Sequence, residues 1–345
     1  MTPMERLYAA ATGAPSDRIP VFCHLIDQGA AELGMSLQEY YSNGEHVAEG
    51  QLIMQRKYGY DNLWSLFYVA REAEMLGCKK ILYASDGPPN VDDFVIKTYD
   101  DIHRLTIPEN LQSNPALAEN LKCLRLLKDE TKGSIPLFAY ITSSMTMPAL
   151  LMGMDKWMEL LFLGPREVRD ELLAKCSDFF VKEFNALKDA GADIFCYSAP
   201  FCSTDFLPMR VIEELSIPWM QRDLQDVGTA GVVFFGASAR INQVIGRVME
   251  KTGITTYYPS PLEDVAESRE IIAGRALYAG VINDIQLIRW SREEIRKEVK
   301  RIIDAGMPGG RFFFGTLLMP APIPPDNIRA MLEAAYEFGS YKHTG

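Results

Sequence analysis

The sequence predicts an α/β protein, a closed (β/α)8 TIM barrel with an N-terminal helical extension. Eight short apolar segments have the length and composition of buried strands, and most of them alternate with helical segments. No linker, low-complexity tract or short repeat divides the chain, so residues 1–345 are predicted to form one domain. Eight such units in an uninterrupted chain favour a closed barrel over an open sheet.

The elements follow from local signals along the chain. Thr2, Pro3 and Glu5 match a helix capping box with proline at the first helical position, so a helix is predicted from there to Gly13. The predicted strands are 19–23, 63–67, 135–141, 193–197, 232–235, 255–258, 277–281 and 311–314. The predicted helices after the first are 44–59, 71–76, 115–132, 154–190, 209–227, 242–252, 262–272, 292–305 and 326–338. Residues 79–110, with their prolines and short extended pieces, are interpreted as an excursion from the barrel.

Composition excludes several classes of function. The chain has 35 Lys and Arg against 46 Asp and Glu, a net charge of −11, which disfavours nucleic acids and anionic membrane surfaces as partners. Its six cysteines are scattered through apolar segments, as expected for reduced thiols. The N-terminus lacks the pattern of a signal peptide, and no apolar stretch reaches about 18 residues. A cytoplasmic location is therefore predicted.

The active site of such a barrel is expected where the strands end. Three candidates for proton transfer follow predicted strands, namely His24, Asp205 and Asp284. Each has a structural alternative, because a histidine there can bind a backbone carbonyl and either aspartate can cap the next helix. The candidates for substrate binding are Asp27, Trp64, Tyr68, Ser143, Ser144, Met145, Phe201, Cys202, Phe235, Arg240 and Asn283. Aromatic rings, methionines and hydroxyls with few charges suit a flat, largely apolar substrate.

Short sequence motifs give little further indication of function. The glycines at 306–310 precede a predicted strand rather than a helix, so they fit neither a dinucleotide fingerprint nor a P-loop. Cys23 and His24 are adjacent on a predicted strand and face opposite ways, which argues against one metal site that uses both.

The order of several segments resembles the uroporphyrinogen decarboxylase-like superfamily. These segments are MERLYAAATGAPSDRIPVF, GYDNLW, REAEMLGC, SSMTMPALLMG, GADIFCYSAP, GVINDIQLI and PPDNIRAMLEAAYEFG. The chain is most similar to the corrinoid-dependent methyltransferase branch, which includes methylcobamide:coenzyme M methyltransferases and aryl-ether O-demethylase methyltransferases. The resemblance implies a (β/α)8 barrel and methyl transfer to or from the cobalt of a corrinoid on a separate small protein.

Two features depart from the family's patterns. The coenzyme M branch holds zinc with a His-x-Cys pair and a later cysteine, and the matching positions here are Val233, Phe235 and Leu317. Zinc in that branch stabilises a thiolate, so without these ligands the chain lacks the metal that would activate a thiol for methylation. The decarboxylase branch grips its polycarboxylate with arginines after the first strand, where this chain has His24 and Asp27 instead.

These features predict methyl transfer from a small methoxylated, aromatic compound to a small corrinoid-binding protein. The cofactor is then the partner's corrinoid. The resemblance leaves open whether any metal is bound, including a site built from carboxylates with His24 or Cys202, and whether the chain forms a homodimer. Three alternatives also stay open: a decarboxylase-like lyase, a methyltransferase from methylcorrinoid to an acceptor, and a barrel without activity that serves as a docking module.

Overall fold

The computed structural model describes residues 1–84 and 88–341. The strands within these residues are β1 (Val21–His24), β2 (Leu63–Trp64), β3 (Ile81–Leu82), β4 (Asn90–Val91), β5 (Leu137–Thr142), β6 (Ile194–Ser198), β7 (Val232–Phe235), β8 (Thr256–Tyr258), β9 (Leu277–Ile282) and β10 (Phe312–Leu318). Eight of them form one parallel sheet in the order β1-β10-β9-β8-β7-β6-β5-β2, and β3 pairs with β4 separately. The predicted (β/α)8 barrel is confirmed.

The barrel closes between β1 and β2 through side chains rather than a regular strand ladder. Asp61 donates its backbone N–H to the carbonyl of Val21 at 2.8 Å and accepts the Val21 N–H at its carboxylate at 2.9 Å. The Asn62 amide accepts the Cys23 N–H at 2.8 Å and donates to the Cys23 carbonyl at 3.2 Å. These side chains satisfy the backbone groups that a neighbouring strand would otherwise pair.

Helices surround the sheet, as the alternating pattern predicts. Those in the described residues are α1 (Pro3–Thr12), α2 (Asp27–Glu32), α3 (Leu37–Tyr41), α4 (Gly44–Tyr58), α5 (Arg71–Met75), α6 (Tyr99–Arg104), α7 (Pro115–Thr131), α8 (Met147–Met152), α9 (Met154–Leu163), α10 (Arg166–Asp189), α11 (Met209–Val211), α12 (Ile217–Gln225), α13 (Asn242–Thr252), α14 (Val265–Ile272), α15 (Arg292–Gly306) and α16 (Pro325–Phe338). The predicted capping box of α1 is present, since Thr2 and Glu5 each bond to the other's backbone N–H.

The helix α1 lies at the N-terminal ends of the barrel strands. Its Met4 N–H donates to the carbonyl of Ser134, just before β5. Its Arg6 binds Asp61 at 3.1 Å, and Arg18 binds the same buried carboxylate. The helix is thereby fixed to the closure between β1 and β2.

The centre of the barrel is filled by the rings of Phe22, Phe138 and Phe313, here called the ring layer. The Phe22 ring lies 5.0 Å from each of the other two, centroid to centroid. Towards the C-terminal ends of the strands, Phe138 contacts Trp64 at 5.1 Å and Phe313 contacts Tyr258 at 5.6 Å. Aromatic pairs at such distances and tilts pack favourably.

Some predicted elements differ in detail. The strand at 232–235 matches, and the ends of the other seven differ by at most four residues. The helix predicted over 154–190 is two helices, because Pro165 has no N–H to continue α9 and α10 begins after it. The short helices α2, α3 and α8 were not predicted. The excursion over 79–110 holds β3, β4 and α6 outside the barrel sheet, and 85–87 fall outside the described residues. In the part of the chain that the structure describes, no helix has the length and apolar character needed to span a membrane.

Candidate active site at the barrel mouth

The barrel mouth holds a small aromatic cavity of about 30 Å³. His24, Trp64, Phe235 and Leu318, the last residues of β1, β2, β7 and β10, contribute to its lining. The complete lining is His24, Ile26, Trp64, Phe67, Tyr140, Phe235 and Leu318. The cavity therefore lies on the face where barrel enzymes place their active sites. It brings together three side chains singled out in the sequence: His24, Trp64 and Phe235.

The His24 imidazole is enclosed by aromatic rings. Its centroid lies 3.7 Å from that of Trp64 and 6.0 Å from that of Tyr258. Burial lowers its pKa to about 3, against an opposing effect of hydrogen bonds to the backbone of Leu317 and Thr316. Its Nδ1 is buried without a hydrogen-bond partner among the described residues. His24 is thus neutral at physiological pH and is not an imidazolium proton donor.

Asp284 follows β9 and is only 4% exposed. Its carboxylate accepts the N–H of the next residue, Ile285, at 3.1 Å, and it does not cap the short helical turn that follows at 286–288. Burial raises its pKa to about 7, although hydrogen bonds from its own and the Ile285 backbone oppose this rise. Its negative charge contributes to the raised pKa of Tyr258, whose ring lies beside His24. A carboxyl group that holds a proton near neutral pH therefore follows β9 on the face of the mouth, outside the lining of the cavity itself.

The polar ends of the surrounding rings already have partners. The Trp64 indole N–H donates to the Cys23 carbonyl at 2.9 Å, and the Tyr258 hydroxyl donates to the Thr316 carbonyl at 2.5 Å. The Tyr140 hydroxyl donates to the Ser198 hydroxyl. The cavity is therefore bordered mainly by ring faces and aliphatic carbons.

Asp205 and Arg240 lie together on the rim as an ion pair. The guanidinium of Arg240 donates to Asp205 at 2.7 Å, and its backbone N–H donates to the same carboxylate at 2.8 Å. These hydrogen bonds hold the pKa of Asp205 below its usual range. An ionised Asp205 does not fit the predicted role of proton donor, and Arg240 is already paired instead of free for a substrate carboxylate.

Asp27 and Tyr68 belong to a buried network beside the mouth and do not line the cavity. Asp27 accepts a hydrogen bond from Tyr41, and burial raises the pKa of its carboxyl. The Tyr41 ring packs against Tyr68 at 5.3 Å. The Tyr68 hydroxyl binds Glu74 and accepts from Arg71 at 3.0 Å. This arrangement does not support the direct substrate contact predicted for either residue.

Ser143, Ser144 and Met145 are buried after β5. The N–H of Ser143 donates to the Ser198 carbonyl at 2.9 Å, and the N–H of Ser144 donates to the carboxylate of Asp223 at 2.9 Å. None of the three lines the mouth cavity. These backbone hydrogen bonds fix the end of β5, and substrate contact by the three side chains stays a prediction.

Three further candidates also lie away from the cavity. Phe201 packs against Trp157, with 6.4 Å between centroids. Cys202 is buried, and desolvation raises its pKa to about 12, so it is a neutral thiol and a poor nucleophile or metal ligand. The Asn283 side chain accepts a backbone N–H three residues later at 3.4 Å, a turn contact.

The positions matched to the zinc ligands carry hydrocarbon side chains. Phe235 lines the mouth cavity, whereas Val233 lines a different cavity at the opposite end of the barrel. Leu317 is partly buried against the core. Residues 1–84 and 88–341 contain no group of three or more His, Cys, Asp or Glu arranged to hold a metal ion. The zinc of the coenzyme M branch therefore does not fit these residues.

Sequence reasoning missed five residues in or beside the cavity, namely Ile26, Phe67, Tyr140, Tyr258 and Leu318. Tyr140 stacks on Phe67 with 3.9 Å between centroids. Tyr140 lies two residues before the end of β5, so strand alternation is the signal that could have found it. Leu318 was hidden because β10 runs four residues beyond the predicted end at 314.

Two buried glutamates behind β5 were also missed. Glu72 on α5 accepts the backbone N–H of Thr142 at 2.7 Å and binds its hydroxyl. Glu183 on α10 is hydrogen-bonded to Glu72, and burial raises the pKa of both carboxyls, that of Glu72 to about 7. Two carboxyl groups in contact repel each other when both are ionised, so the pair retains a proton near neutral pH.

The chain is similar to methyltransferases and to decarboxylases. The methylcobamide:CoM methyltransferase MtbA of Methanosarcina acetivorans is 23% identical over 352 residues, covering 98% of each chain. A uroporphyrinogen decarboxylase of Geobacter metallireducens is 24% identical over 354 residues, covering 96% of this chain and 98% of that one.

A solved structure and a family model agree with the fold. The structure described as a methyltransferase from Methanosarcina mazei superposes with a TM-score of 0.84 at 19% identity, over 98% of this chain and 99% of that one. The family model described as uroporphyrinogen decarboxylase (URO-D) matches residues 2–338. That match spans nearly the whole chain and confirms the resemblance noted in its segments: the chain belongs to the URO-D family.

Proposed function

We propose that this chain transfers a methyl group from a small methoxylated, aromatic compound to the cobalt of a corrinoid on a separate small protein. Relatives named methylcobamide:CoM methyltransferases support a corrinoid as one of the two reactants, and its role here as the methyl acceptor is part of the proposal. The observation that carries the donor side of the reaction is the composition of the mouth. Aromatic rings line its cavity, hydrocarbon side chains stand at the positions of the zinc ligands that activate a thiol, and Asp284, a carboxyl that holds a proton near neutral pH, follows β9 on the same face of the barrel.

Each part of the mouth has a role in this proposal. The partner's reduced cobalt supplies the nucleophile. The chain must bind the donor and protonate the departing oxygen, since a phenol leaves more readily than a phenolate. Asp284 is the proton donor that we propose, because burial keeps its carboxyl protonated near neutral pH. The unpaired Nδ1 of His24 is available to accept a hydrogen bond from the released hydroxyl.

The donor needs more room than the closed mouth provides. A cavity of about 30 Å³ has the volume of about one water molecule, whereas benzene occupies an engineered cavity of about 150 Å³. Phe67 is half-buried and stacks on Tyr140, so separation of these two rings would enlarge the cavity towards solvent. We therefore propose that the donor ring replaces Phe67 against Tyr140.

The partner would dock on the face that surrounds the mouth. Phe206, Leu262 and Ile285 lie on the loops after β6, β8 and β9 and are 37%, 69% and 64% exposed. Exposed apolar side chains on one face are typical of surfaces that bind another protein.

The test is an absorbance assay of cob(I)alamin consumption with a panel of methoxylated benzoates and phenols, using metal-analysed enzyme. Methyl transfer is expected with wild type and to fall at least about 100-fold in Asp284→Asn, the scale of general-acid catalysis. Asp304→Asn, on the exposed end of α15 away from the mouth, is the matched control and should keep activity. Failure with every methoxylated aromatic, or carbon dioxide release from a carboxylated substrate, would refute the proposal.

A further inference from the structure

A second cavity lies at the end of the barrel opposite the mouth and is here called the basal cavity. Its volume is about 460 Å³. The first residues of β6, β7, β8 and β9 line it, and α1 covers it. It is therefore separate from the mouth cavity and contains none of the residues proposed for methyl transfer.

The lining of the basal cavity is apolar and uncharged. The residues that line it are Met4, Leu7, Tyr8, Ala11, Phe22, Phe138, Ile194, Thr229, Ala230, Gly231, Val232, Val233, Thr255, Thr256, Leu277 and Phe313. None of these described lining residues carries a charge. The hydroxyls of its threonines and Tyr8 are its side-chain polar groups. A charged ligand would lose its hydration there without gaining a counter-ion.

The volume of the basal cavity matches that of small-molecule sites. Pockets of about 300–1,000 Å³ with mainly apolar linings are the usual size for such sites, and an apolar cavity of about 150 Å³ already binds benzene. The basal cavity is partly open to solvent beside the exposed Tyr8, so a ligand can enter it. It is bordered by large side chains that a flat ring can contact.

The ring layer forms the inner wall of the basal cavity. Phe22, Phe138 and Phe313 all line it. Phe138 and Phe313 also contact Trp64 and Tyr258, which lie at the mouth. One layer of aromatic rings thus separates the two cavities, and it offers ring faces and edges to a ligand on the basal side.

We propose that the basal cavity binds a neutral, mainly apolar molecule of one or two aromatic rings, as a second site distinct from the mouth. The ligand is expected to be neutral because the lining is uncharged, and its expected size follows from the volume of the cavity under α1. The threonine hydroxyls can bond to one hydroxyl or ether group of the ligand.

The probes are 1-naphthol, which is neutral, and 1-naphthoate, a matched anion. Isothermal titration with the full chain, in the absence of methyl donor and corrinoid protein, should show one 1-naphthol per chain. The affinity for 1-naphthoate should be at least about tenfold lower, because its carboxylate must be desolvated. No binding of 1-naphthol, or equal binding of both probes, would overturn the proposal.

Variants of α1 locate the bound probe. Ala11 lines the cavity, so the indole of Ala11→Trp should occupy the space beside α1 and lower the affinity at least about tenfold, and the smaller Ala11→Leu should weaken binding less. Thr12→Trp on the exposed side of the same helix is the control and should bind as wild type does. Circular dichroism checks that each variant is folded.

The result is independent of the proposed methyl transfer. Suppose that a methoxylated donor displaces 1-naphthol and that both Ala11 variants bind 1-naphthol with wild-type affinity. The probe then binds at the mouth, and the basal-site proposal is wrong. If binding depends on Ala11 while no methyl transfer occurs, the basal site stands and the proposed function fails.

Discussion

Replacing Asp284 by asparagine should stabilise the protein at alkaline pH while removing its proposed proton donor. The Asp284 carboxyl is 4% exposed and is buried without a salt-bridge partner within the described residues. Asparagine has nearly the same shape and keeps the oxygen that accepts the N–H of Ile285. The substitution therefore removes an ionisable group with little change in packing.

The size of the effect follows from the pKa. In the folded state the Asp284 pKa is about 7, against a usual value of 3.8. Between these values the folded state holds a proton that the unfolded state has lost, so the free energy of unfolding falls as pH rises. At 1.36 kcal/mol per pKa unit, the folded state loses about 4 kcal/mol by the time pH exceeds 7. The asparagine variant has no such loss.

Urea denaturation of wild type and Asp284→Asn at pH 4 and pH 8.5 measures this effect. The two proteins should differ by less than about 1 kcal/mol at pH 4, because that pH lies close to the unfolded-state pKa and little of the penalty has developed. At pH 8.5 the variant should be more stable, by about 4 kcal/mol at most, since partial solvation reduces the cost of burial. A stability difference that does not change with pH would show that the Asp284 pKa is not raised.

Three further predictions concern the buried acids and the barrel closure. Glu183→Gln should raise the free energy of unfolding by roughly 1–3 kcal/mol at pH 8 but little at pH 5. The reason is that Glu183 and Glu72 are two buried carboxyls in contact, and the substitution removes one of them. Urea denaturation at both pH values measures the difference. Asn62→Ala should lower the free energy of unfolding by about 1–3 kcal/mol at pH 7, because it leaves the buried Cys23 N–H unpaired and the Cys23 carbonyl with only its bond from Trp64. Urea denaturation measures it, and a loss below about 1 kcal/mol would contradict this account of the closure. If Asp284 is the acid, the kcat of methyl transfer should fall as pH rises through about 7, with no second limb near 6.5 from a histidine, and stopped assays across pH 5–9 would show it.

The barrel was predictable because its strands are buried on both faces. A parallel strand such as β7 is a continuous apolar run, and its bounds at 232–235 could be assigned from composition alone. Breaks within a helical segment were harder to predict from the sequence than the strands. The break between α9 and α10 depends on Pro165, but the apolar pattern continues across it and favours one long helix.

The site was only partly predictable, because strand ends locate residues on a face but not their partners. The rule selected His24, Trp64 and Phe235, which line the mouth cavity, while their roles stay predictions. The pairing of Asp205 with Arg240 joins residues 35 apart in sequence, which no local pattern encodes. Likewise, the burial that turns Asp284 into a weak acid depends on the packing of several loops.

Burial, rather than local charge, determines the protonation states at the mouth. In a chain of net charge −11, long-range attraction would favour a protonated histidine. Desolvation instead lowers the pKa of His24 and raises that of Asp284, so both side chains are uncharged just below neutral pH. In the proposed reaction, such uncharged side chains would admit a neutral ether without an electrostatic penalty, and Asp284 would keep one proton for the oxygen that becomes charged as the bond breaks. The same desolvation explains why the carboxyl can be an acid here while the imidazole cannot, an assignment opposite to the one suggested by their usual pKa values.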